Sequence, residues 1–290
     1  MRALRFLLVQ LRRSGSKRHF LRGLLLGAKG GDRVVTSVDG TTLSVRVSGR
    51  GPALVLVHGT LDGMSSFAFV EPALAERATV WTYDRRGRGG SGDSGAEHAI
   101  EREVDDLRAV VAATGEAPHV VAHSYGAVVA ILAALDGVPM RSLVLYEPPV
   151  NGHQIPRPVI DEIADHVAAG RRDEAIRAMA GRLAGVSDHE LAVALSVPPV
   201  RKVLRDGTRS AERELRALLD VDLSGLPIRG VDTLVLQGGR RSSAAYPTDQ
   251  QAASIAETVT IAELAGQGHL AHTFAPDAVL EVVEPFLAAH

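Results

Sequence analysis

The sequence predicts an α/β protein in which helices flank a mostly parallel central sheet. Two features of the 290-residue chain indicate this fold class: short apolar runs alternate with stretches of helical periodicity, and each run is bounded by Gly, Pro or Asp. Such runs are typical of strands that are buried on both faces of a parallel sheet. With 46% hydrophobic and 23% charged residues, the composition favours a soluble globular protein over a disordered one.

The strands are predicted in the order in which the apolar runs occur. Residues 34–38 and 41–47 alternate in polarity around the turn dipeptide Asp39-Gly40, which predicts a hairpin. Six further strands are predicted at residues 53–57, 79–83, 120–122, 142–146, 233–236 and 259–264. Because these later runs are short and mostly apolar, they are expected to form the buried, parallel part of the sheet.

Between Pro148 and about Asp232 the alternation of strands and helices stops. The helical patterns in this segment lie at residues 159–169, 173–183, 188–195 and 210–219, and no convincing strand accompanies them. We therefore expect a helical cap, residues 148–231, inserted after the sixth strand of a core that comprises residues 32–147 and 232–290.

Residues 1–31 are predicted to form a separate basic amphipathic segment. They contain eight Lys and Arg residues and no acid, so they carry about +8, whereas the whole chain has a net charge of -2. Leucines at helical spacing predict a helix that either packs on the body of the protein or makes peripheral contact with an anionic membrane. The apolar run at residues 6–9 is too short for a signal-peptide core, so we expect a cytoplasmic protein, with membrane association as the alternative.

Several function classes are disfavoured by what the sequence lacks. The absence of cysteine excludes a disulfide framework, thiolate metal ligation and a cysteine nucleophile. The net charge of -2 argues against a nucleic-acid partner. No His and carboxylate residues have metal-ligand spacing, and no Gly-rich loop follows the first strand, so neither a metal nor another cofactor is expected. The sequence does not indicate an oligomeric state.

The strongest local signal for chemistry is the segment 120–131, in which a buried strand continues directly into a helix through Ser124. Ala122 and Gly126, two positions before and after the serine, are small enough for strand and helix to approach each other. Such a turn holds the serine in a strained conformation that exposes its hydroxyl, and is known as a nucleophile elbow. The usual pattern has Gly in place of Ala122, which is a modest departure.

Together with the elbow, three more motifs resemble those of the α/β-hydrolase superfamily, and the resemblance extends from residue 34 to residue 289. They are His58-Gly59-Thr60, similar to the His-Gly-x oxyanion loop; residues 83–91, similar to the D-x-R-G-x-G-x-S turn; and Gly266-Gln267-Gly268-His269. The resemblance implies an α/β-hydrolase fold with a serine nucleophile and a helical cap. It also implies that the turn containing Asp84 and Arg86 braces the loop over the site and does not react.

The resemblance further assigns the remaining parts of the site. His269, in the loop after the last strand, is expected to be the base that activates Ser124. The backbone N–H groups of Thr60 and Tyr125 are expected to form the oxyanion hole, because two such donors match the charge that develops on a carbonyl oxygen under attack. His272 is expected to be a helix-start or surface histidine.

The triad acid departs from the family pattern. The family usually places this acid after the seventh strand, in a G-x-x-D pattern, where this chain has Arg241. Glu147 lies at the end of the preceding core strand, where some members of the family, including one group of haloalkane dehalogenases, place their acid. The resemblance therefore implies Glu147 as the substitute, and it can reach the histidine because the strand ends of an open α/β sheet converge on one crevice. The alternatives are Asp249, another acid, or a Ser-His dyad without an acid.

A serine in the elbow indicates acyl-enzyme chemistry on a carboxylic ester, lactone or thioester, because epoxide hydrolases and dehalogenases of this family use a carboxylate there. An apolar roof, expected from cap residues such as Ile160, Ile163 and Ile176, favours a small to medium hydrophobic acyl substrate. Carbon–carbon bond hydrolysis, amide hydrolysis and cofactor-free perhydrolysis would use the same serine. The sequence is also compatible with a non-catalytic ligand-binding protein and with a membrane-associated acyltransferase or lipase.

Overall fold

Eight strands form one sheet in the computed structural model, which describes residues 31–95, 97–223, 227–240 and 243–290. The predicted basic segment lies outside the described residues, apart from Gly31. The strands are β1 (Gly31–Thr36), β2 (Thr42–Gly49), β3 (Ala53–Val57), β4 (Thr79–Tyr83), β5 (His119–His123), β6 (Ser142–Tyr146), β7 (Asp232–Gly238) and β8 (Val259–Leu264).

The sheet is antiparallel at one edge and parallel over the rest. Its strand order is β1-β2-β4-β3-β5-β6-β7-β8. β2 runs antiparallel to both of its neighbours, whereas every pair from β4 to β8 is parallel. The carboxyl ends of the parallel strands therefore lie at one edge, where the loops after β3, β5, β6, β7 and β8 meet. The predicted fold class is confirmed, and the hairpin around Asp39-Gly40 is present.

Apolar side chains cover both faces of the central strands. On β3, Val55 and Val57 belong to one core cluster, whereas Leu54 and Leu56 belong to the cluster on the opposite face. Burial on both faces is the reason that these strands are uniformly apolar in sequence. β8 differs from the prediction of a buried strand, because it lies at the edge of the sheet and Ile261 is 38% exposed.

Helices pack on the sheet and fill the segment between β6 and β7. The α-helices are α1 (Glu71–Leu74), α2 (Ile100–Thr114), α3 (Tyr125–Leu135), α4 (Arg157–Ala168), α5 (Arg172–Arg177), α6 (Asp188–Ser196), α7 (Pro198–Leu219), α8 (Asp249–Ala253), α9 (Ala271–Phe274) and α10 (Pro276–Ala289). Short 3₁₀ helices occupy Met64–Phe67 and Gly152–Gln154, and a π-helical turn occupies Ala178–Leu183. Within the described ranges, no helix is both long and apolar enough to cross a bilayer.

The last helix of the cap segment is longer than the sequence pattern predicts. α7 begins at Pro198 rather than at residue 210. Proline is compatible with the first turn of a helix, because the N–H groups there have no intrahelical acceptor. Gly207 does not interrupt the helix but lets it pack closely, since a Cβ at this position would lie 2.4 Å from the carbonyl oxygen of Leu61.

The side chains expected to form an apolar roof have a different place in the structure. Ile160, Ile163 and Ile176 are 0% exposed and belong to the hydrophobic core cluster. A side chain with no accessible surface does not line open space that a substrate could occupy. These three residues therefore stabilise the cap and do not line a substrate pocket.

Candidate active site

Ser124 lies at the junction between β5 and α3, in the conformation that a nucleophile elbow requires. Its φ of 55° and ψ of -126° are rarely adopted by a residue with a side chain. The turn is tight, because a Cβ at Gly126 would lie 2.4 Å from the carbonyl oxygen of His58. The Ser124 side chain does not cap α3 and is partly exposed between two buried neighbours. Its hydroxyl therefore remains available to a substrate.

Glu147 lies beside His269, which is the arrangement expected for a shifted triad acid. Its Oε2 is 2.6 Å from Nδ1 of His269, and its Oε1 accepts a hydrogen bond from the backbone N–H of Gly238 at 2.9 Å. A Cβ at Gly238 would lie 2.6 Å from this Oε1, so the glycine at the end of β7 leaves room for a carboxylate from β6. Asp249 begins α8 instead, and Arg241 lies outside the described residues.

Tyr246 is a site residue that the sequence analysis missed. Its hydroxyl is 2.8 Å from Nδ1 of His269, and the two rings stack with centroids 5.2 Å apart. The hydroxyl also lies 3.4 Å from the carbonyl oxygen of Ala184, to which it donates. Burial, together with the charge of Glu147, raises the pKa of Tyr246 well above its usual value, so the phenol stays neutral. No local motif marks this tyrosine.

The loop after β3 brings the first predicted oxyanion donor next to the elbow. A Cβ at Gly59 would lie 2.9 Å from Cβ of Ser124. His58 braces the loop: its Nδ1–H donates to the Gly59 carbonyl at 2.9 Å, and its Nε2 accepts from the backbone N–H of Arg85 at 3.0 Å. Burial, and then the charge of Arg85, lowers the pKa of His58 far below its usual value. The ring is therefore neutral, as this pair of bonds requires.

The two predicted oxyanion donors are free to bind a substrate oxygen. The N–H of Tyr125 is the first of α3 and has no intrahelical acceptor. Neither this N–H nor that of Thr60 has a backbone acceptor in the part of the chain that the structure describes. Tyr125 follows Ser124 directly, and Gly59, the residue before Thr60, lies against the Ser124 side chain, so the geometry is compatible with an oxyanion hole. The catalytic role of the two donors stays a prediction.

Two further histidines lie under the elbow, and one of them corrects an expectation. His123 donates its Nε2–H to the carbonyl oxygen of His269 at 2.9 Å, which anchors the loop of the expected base. His272 lies at the start of the short helix α9, as expected, but it is not a surface residue: it is 2% exposed, and its ring is 4.5 Å from that of His123. Burial, and then the charge of His269, lowers the pKa of His272 to about 3. His272 is therefore a neutral packing residue.

The fold also brings together a group that linear spacing could not reveal. Candidate ligand atoms of Asp62, His123 and His272 all lie within 4.8 Å of one another, although Asp62 lies in the loop after β3, His123 at the end of β5 and His272 in α9. The distance from Asp62 Oδ2 to His123 Nδ1 is 4.0 Å. Zinc bound to nitrogen and oxygen at about 2.0–2.2 Å would need these atoms closer together. We therefore assign no metal to this cluster.

Asp62 makes the stability of the protein depend on pH. Burial raises the pKa of its carboxyl from 3.8 to about 6. The neutral form is thus favoured in the folded state, so this contribution to stability is present below pH 3.8 and is lost as the pH rises through 6. We expect Asp62→Asn to stabilise the protein by at most about 3 kcal/mol at pH 8, since each pKa unit corresponds to 1.36 kcal/mol. The gain should be smaller at pH 4.5.

Urea denaturation of both proteins at pH 4.5, 6 and 8 measures this difference. A gap in the free energy of unfolding that is the same at all three pH values would show that Asp62 does not titrate as described.

Asp84 and Arg86 connect the turn after β4 to neighbouring segments, in agreement with the bracing role that the resemblance implies for this turn. The carboxylate of Asp84 accepts from the backbone N–H groups of Met64 and Gly90, at 2.9 and 3.0 Å. Arg86 forms a bidentate pair with Asp106, at 2.6 and 2.7 Å. These contacts tie the turn to α2 and to the loop after β3.

Comparison with known proteins adds sequence relatives. In Pseudomonas putida, N-formylmaleamate deformylase is 36% identical over 111 residues, which make up 37% of this chain and 41% of the relative. In a Burkholderia species, fluoroacetate dehalogenase is 33% identical over 114 residues, which make up 37% of this chain and 38% of the relative. The chain thus spans less than half the length of these two relatives.

Two further comparisons, with a solved structure and with a family profile, extend over most of the chain. A crystal structure of an alpha/beta hydrolase from Sphaerobacter thermophilus superposes with a TM-score of 0.75 at 30% identity, and the match covers 88% of this chain and all of that one. Residues 54–282 match the sequence profile of the alpha/beta hydrolase family. Together with the sheet order and the elbow, these matches show that the chain belongs to the alpha/beta hydrolase family.

Proposed function

We propose that the protein is a serine hydrolase that cleaves a carboxylic ester, lactone or thioester through an acyl-enzyme intermediate. The observation that carries this proposal is the 2.6 Å contact between Glu147 Oε2 and His269 Nδ1. A carboxylate at Nδ1 holds the proton on that nitrogen and leaves Nε2 as the base for Ser124. The strained backbone of Ser124 supports the same assignment, because the elbow conformation serves to expose a nucleophile.

In the proposed mechanism, Ser124 Oγ attacks the substrate carbonyl carbon while Nε2 of His269 takes the hydroxyl proton. The carbonyl oxygen becomes an oxyanion that accepts hydrogen bonds from the N–H groups of Thr60 and Tyr125. The proton passes from His269 to the leaving alkoxide or thiolate as the bond to the acyl carbon breaks. Water, deprotonated by His269, then attacks the acyl-enzyme, and the proton returns to Ser124 as the acid product leaves. Glu147 stabilises the imidazolium in both steps.

The serine in the elbow argues against the chemistry of a dehalogenase, since that chemistry needs a carboxylate nucleophile at this position. The similarity to fluoroacetate dehalogenase therefore supports a shared family and not a shared reaction. A second candidate function is deformylation of an amide nitrogen, because the relative from Pseudomonas putida is named as a deformylase. The same serine, base and oxyanion donors would serve that reaction.

A substrate panel tests the proposal and separates the two candidates. Wild-type protein and Ser124→Ala are assayed on p-nitrophenyl esters of graded chain length, a set of lactones and a set of N-formyl amides. We expect turnover that depends on Ser124, and the graded esters then measure which acyl length is hydrolysed fastest. Turnover of the formyl amides alone would favour deformylation. Absence of any turnover that depends on Ser124, with no labelling by a fluorophosphonate probe, would favour a non-catalytic ligand-binding protein.

A further inference from the structure

The carbonyl oxygen of Gly59 is held by two side chains at once. His58 donates its Nδ1–H to this oxygen at 2.9 Å, and Arg85 donates from Nη2 at 3.0 Å. The ring of His58 is itself held by the backbone N–H of Arg85, which donates to Nε2 at 3.0 Å. Both hydrogen bonds to the Gly59 oxygen therefore depend on where Arg85 lies.

Fixing this oxygen also fixes the N–H of Thr60. The Gly59 carbonyl and the Thr60 N–H belong to one planar trans peptide group, in which they point in opposite directions. Rotation of this group would move the carbonyl oxygen toward the side that the N–H now faces, and would break both hydrogen bonds to His58 and Arg85. The orientation of one predicted oxyanion donor is thus set by two side chains that do not touch the substrate.

Arg85 is bound by carboxylates from two different helices. Nη1 pairs with Glu103 of α2 at 2.5 Å, and Nη2 pairs with Glu214 of α7 at 3.1 Å. All three side chains are at most 2% exposed, so loss of one partner would leave an uncompensated buried charge. Burial alone would lower the pKa of Arg85, but the carboxylates of Glu103 and Glu214 outweigh it and raise the pKa, which keeps the guanidinium charged.

The cap contributes to this arrangement through Glu214. Its carboxylate accepts from Arg85 at 3.1 Å and from Arg88 at 2.5 Å. The guanidinium of Arg85 also lies 4.7 Å from the centre of the Tyr125 ring, whose residue supplies the second predicted donor. Arg85, held by Glu214, therefore contacts residues on both sides of the predicted oxyanion hole.

We propose that Arg85 is a positioning residue of the oxyanion hole, and that Glu214 of the cap holds it in place. In this arrangement the guanidinium fixes the Gly59–Thr60 peptide so that the Thr60 N–H faces the substrate oxyanion. The inference rests on the proposed function, since it requires a reaction that passes through an oxyanion. Arg85 occupies the variable second position of the D-x-R-G-x-G-x-S turn, so the family pattern does not predict this role.

The variant Arg85→Lys tests the proposal. Lysine keeps the charge, but one ammonium group cannot reproduce the fork of guanidinium donors that bonds Glu103 and Gly59 together. We expect kcat for a p-nitrophenyl ester to fall about 30- to 100-fold, somewhat less than is typical for loss of an oxyanion-hole donor, with KM changed less than about threefold. The Ki of a trifluoromethyl ketone, whose hemiketal oxyanion occupies the hole, should rise by the factor by which kcat/KM falls.

The matched control is Arg86→Lys. Arg86 is the next residue of the same turn, is equally buried, and pairs with Asp106 at 2.6 Å. We expect this variant to lower Tm while kcat and the Ki of the ketone stay within about threefold of wild type. If both lysine variants change kcat and Ki equally, or if Arg85→Lys leaves the Ki of the ketone unchanged, Arg85 is only a structural residue and the proposal is wrong.

A second pair of variants covers the case in which Arg85→Lys does not fold. Glu214→Gln keeps the Arg85 side chain but weakens its ion pair with residue 214, so kcat should fall about tenfold and the Ki of the ketone should rise in parallel. Asp106→Asn, which weakens the corresponding ion pair of Arg86, should change neither kcat nor Ki. Equal kinetics for these two variants would also reject the proposal. Failure of the proposed function has a different signature, because Ser124→Ala would then be as active as wild type.

Discussion

Replacing Ser124 or His269 by alanine is expected to lower kcat by about 10⁴- to 10⁶-fold, because each change removes a group that forms or breaks a bond in the proposed reaction. The double variant should lose little more than either single variant, since the nucleophile and its base act as a unit. Steady-state hydrolysis of the best p-nitrophenyl ester, at saturating substrate, measures all three losses.

His272→Gln is the control for this experiment. His272 belongs to the same group of rings, at 4.5 Å from His123, but makes no contact with Glu147 among those described. Its activity should therefore stay within about tenfold of wild type. Near-additive losses in the double variant, or a Ser124→Ala protein that remains active, would overturn the assignment of nucleophile and base.

Glu147→Gln is expected to lower kcat by up to about 10⁴-fold. The two carboxylate oxygens of Glu147 accept from two different donors, the Gly238 N–H at 2.9 Å and Nδ1–H of His269 at 2.6 Å. Glutamine has only one acceptor oxygen, so one of the two donors loses its partner. If the amide oxygen stays with Gly238, the NH₂ group faces His269 and favours the tautomer in which Nε2 carries the proton and cannot act as a base.

The control for Glu147→Gln is Asp249→Asn, which should be nearly silent because Asp249 lies at the start of α8. Tyr246→Phe removes the other group in contact with His269 Nδ1, the Tyr246 hydroxyl at 2.8 Å. This neutral hydroxyl is expected to contribute far less than the carboxylate of Glu147, so kcat should fall by about tenfold or less. Full activity of Glu147→Gln, or a large loss in Asp249→Asn, would show that the triad acid is not Glu147.

The parts of the site that could be predicted are those marked by a local pattern. The elbow around Ser124 and the loop before His269 are tight turns that require small residues at particular positions. Such a requirement involves only a few neighbouring residues, so it can be recognised in the sequence. Glu147 was predicted because some members of the family place the triad acid at the end of this strand, and because parallel strands end at one edge of the sheet. Its contact with His269 joins residues 122 positions apart, which no local pattern reveals.

The sequence by itself determined the fold class, the strand order along the chain and the residue types at the elbow and the histidine loop, since each depends on periodicity or on a turn of a few residues. Only the tertiary structure decided which side chains support them. Arg85 meets Glu214 across 129 positions and Tyr246 meets His269 across 23, and no periodicity or motif connects such pairs. The burial of His272 and the length of α7 were decided in the same way, by packing against chain segments that are distant in sequence, which overrides local pattern.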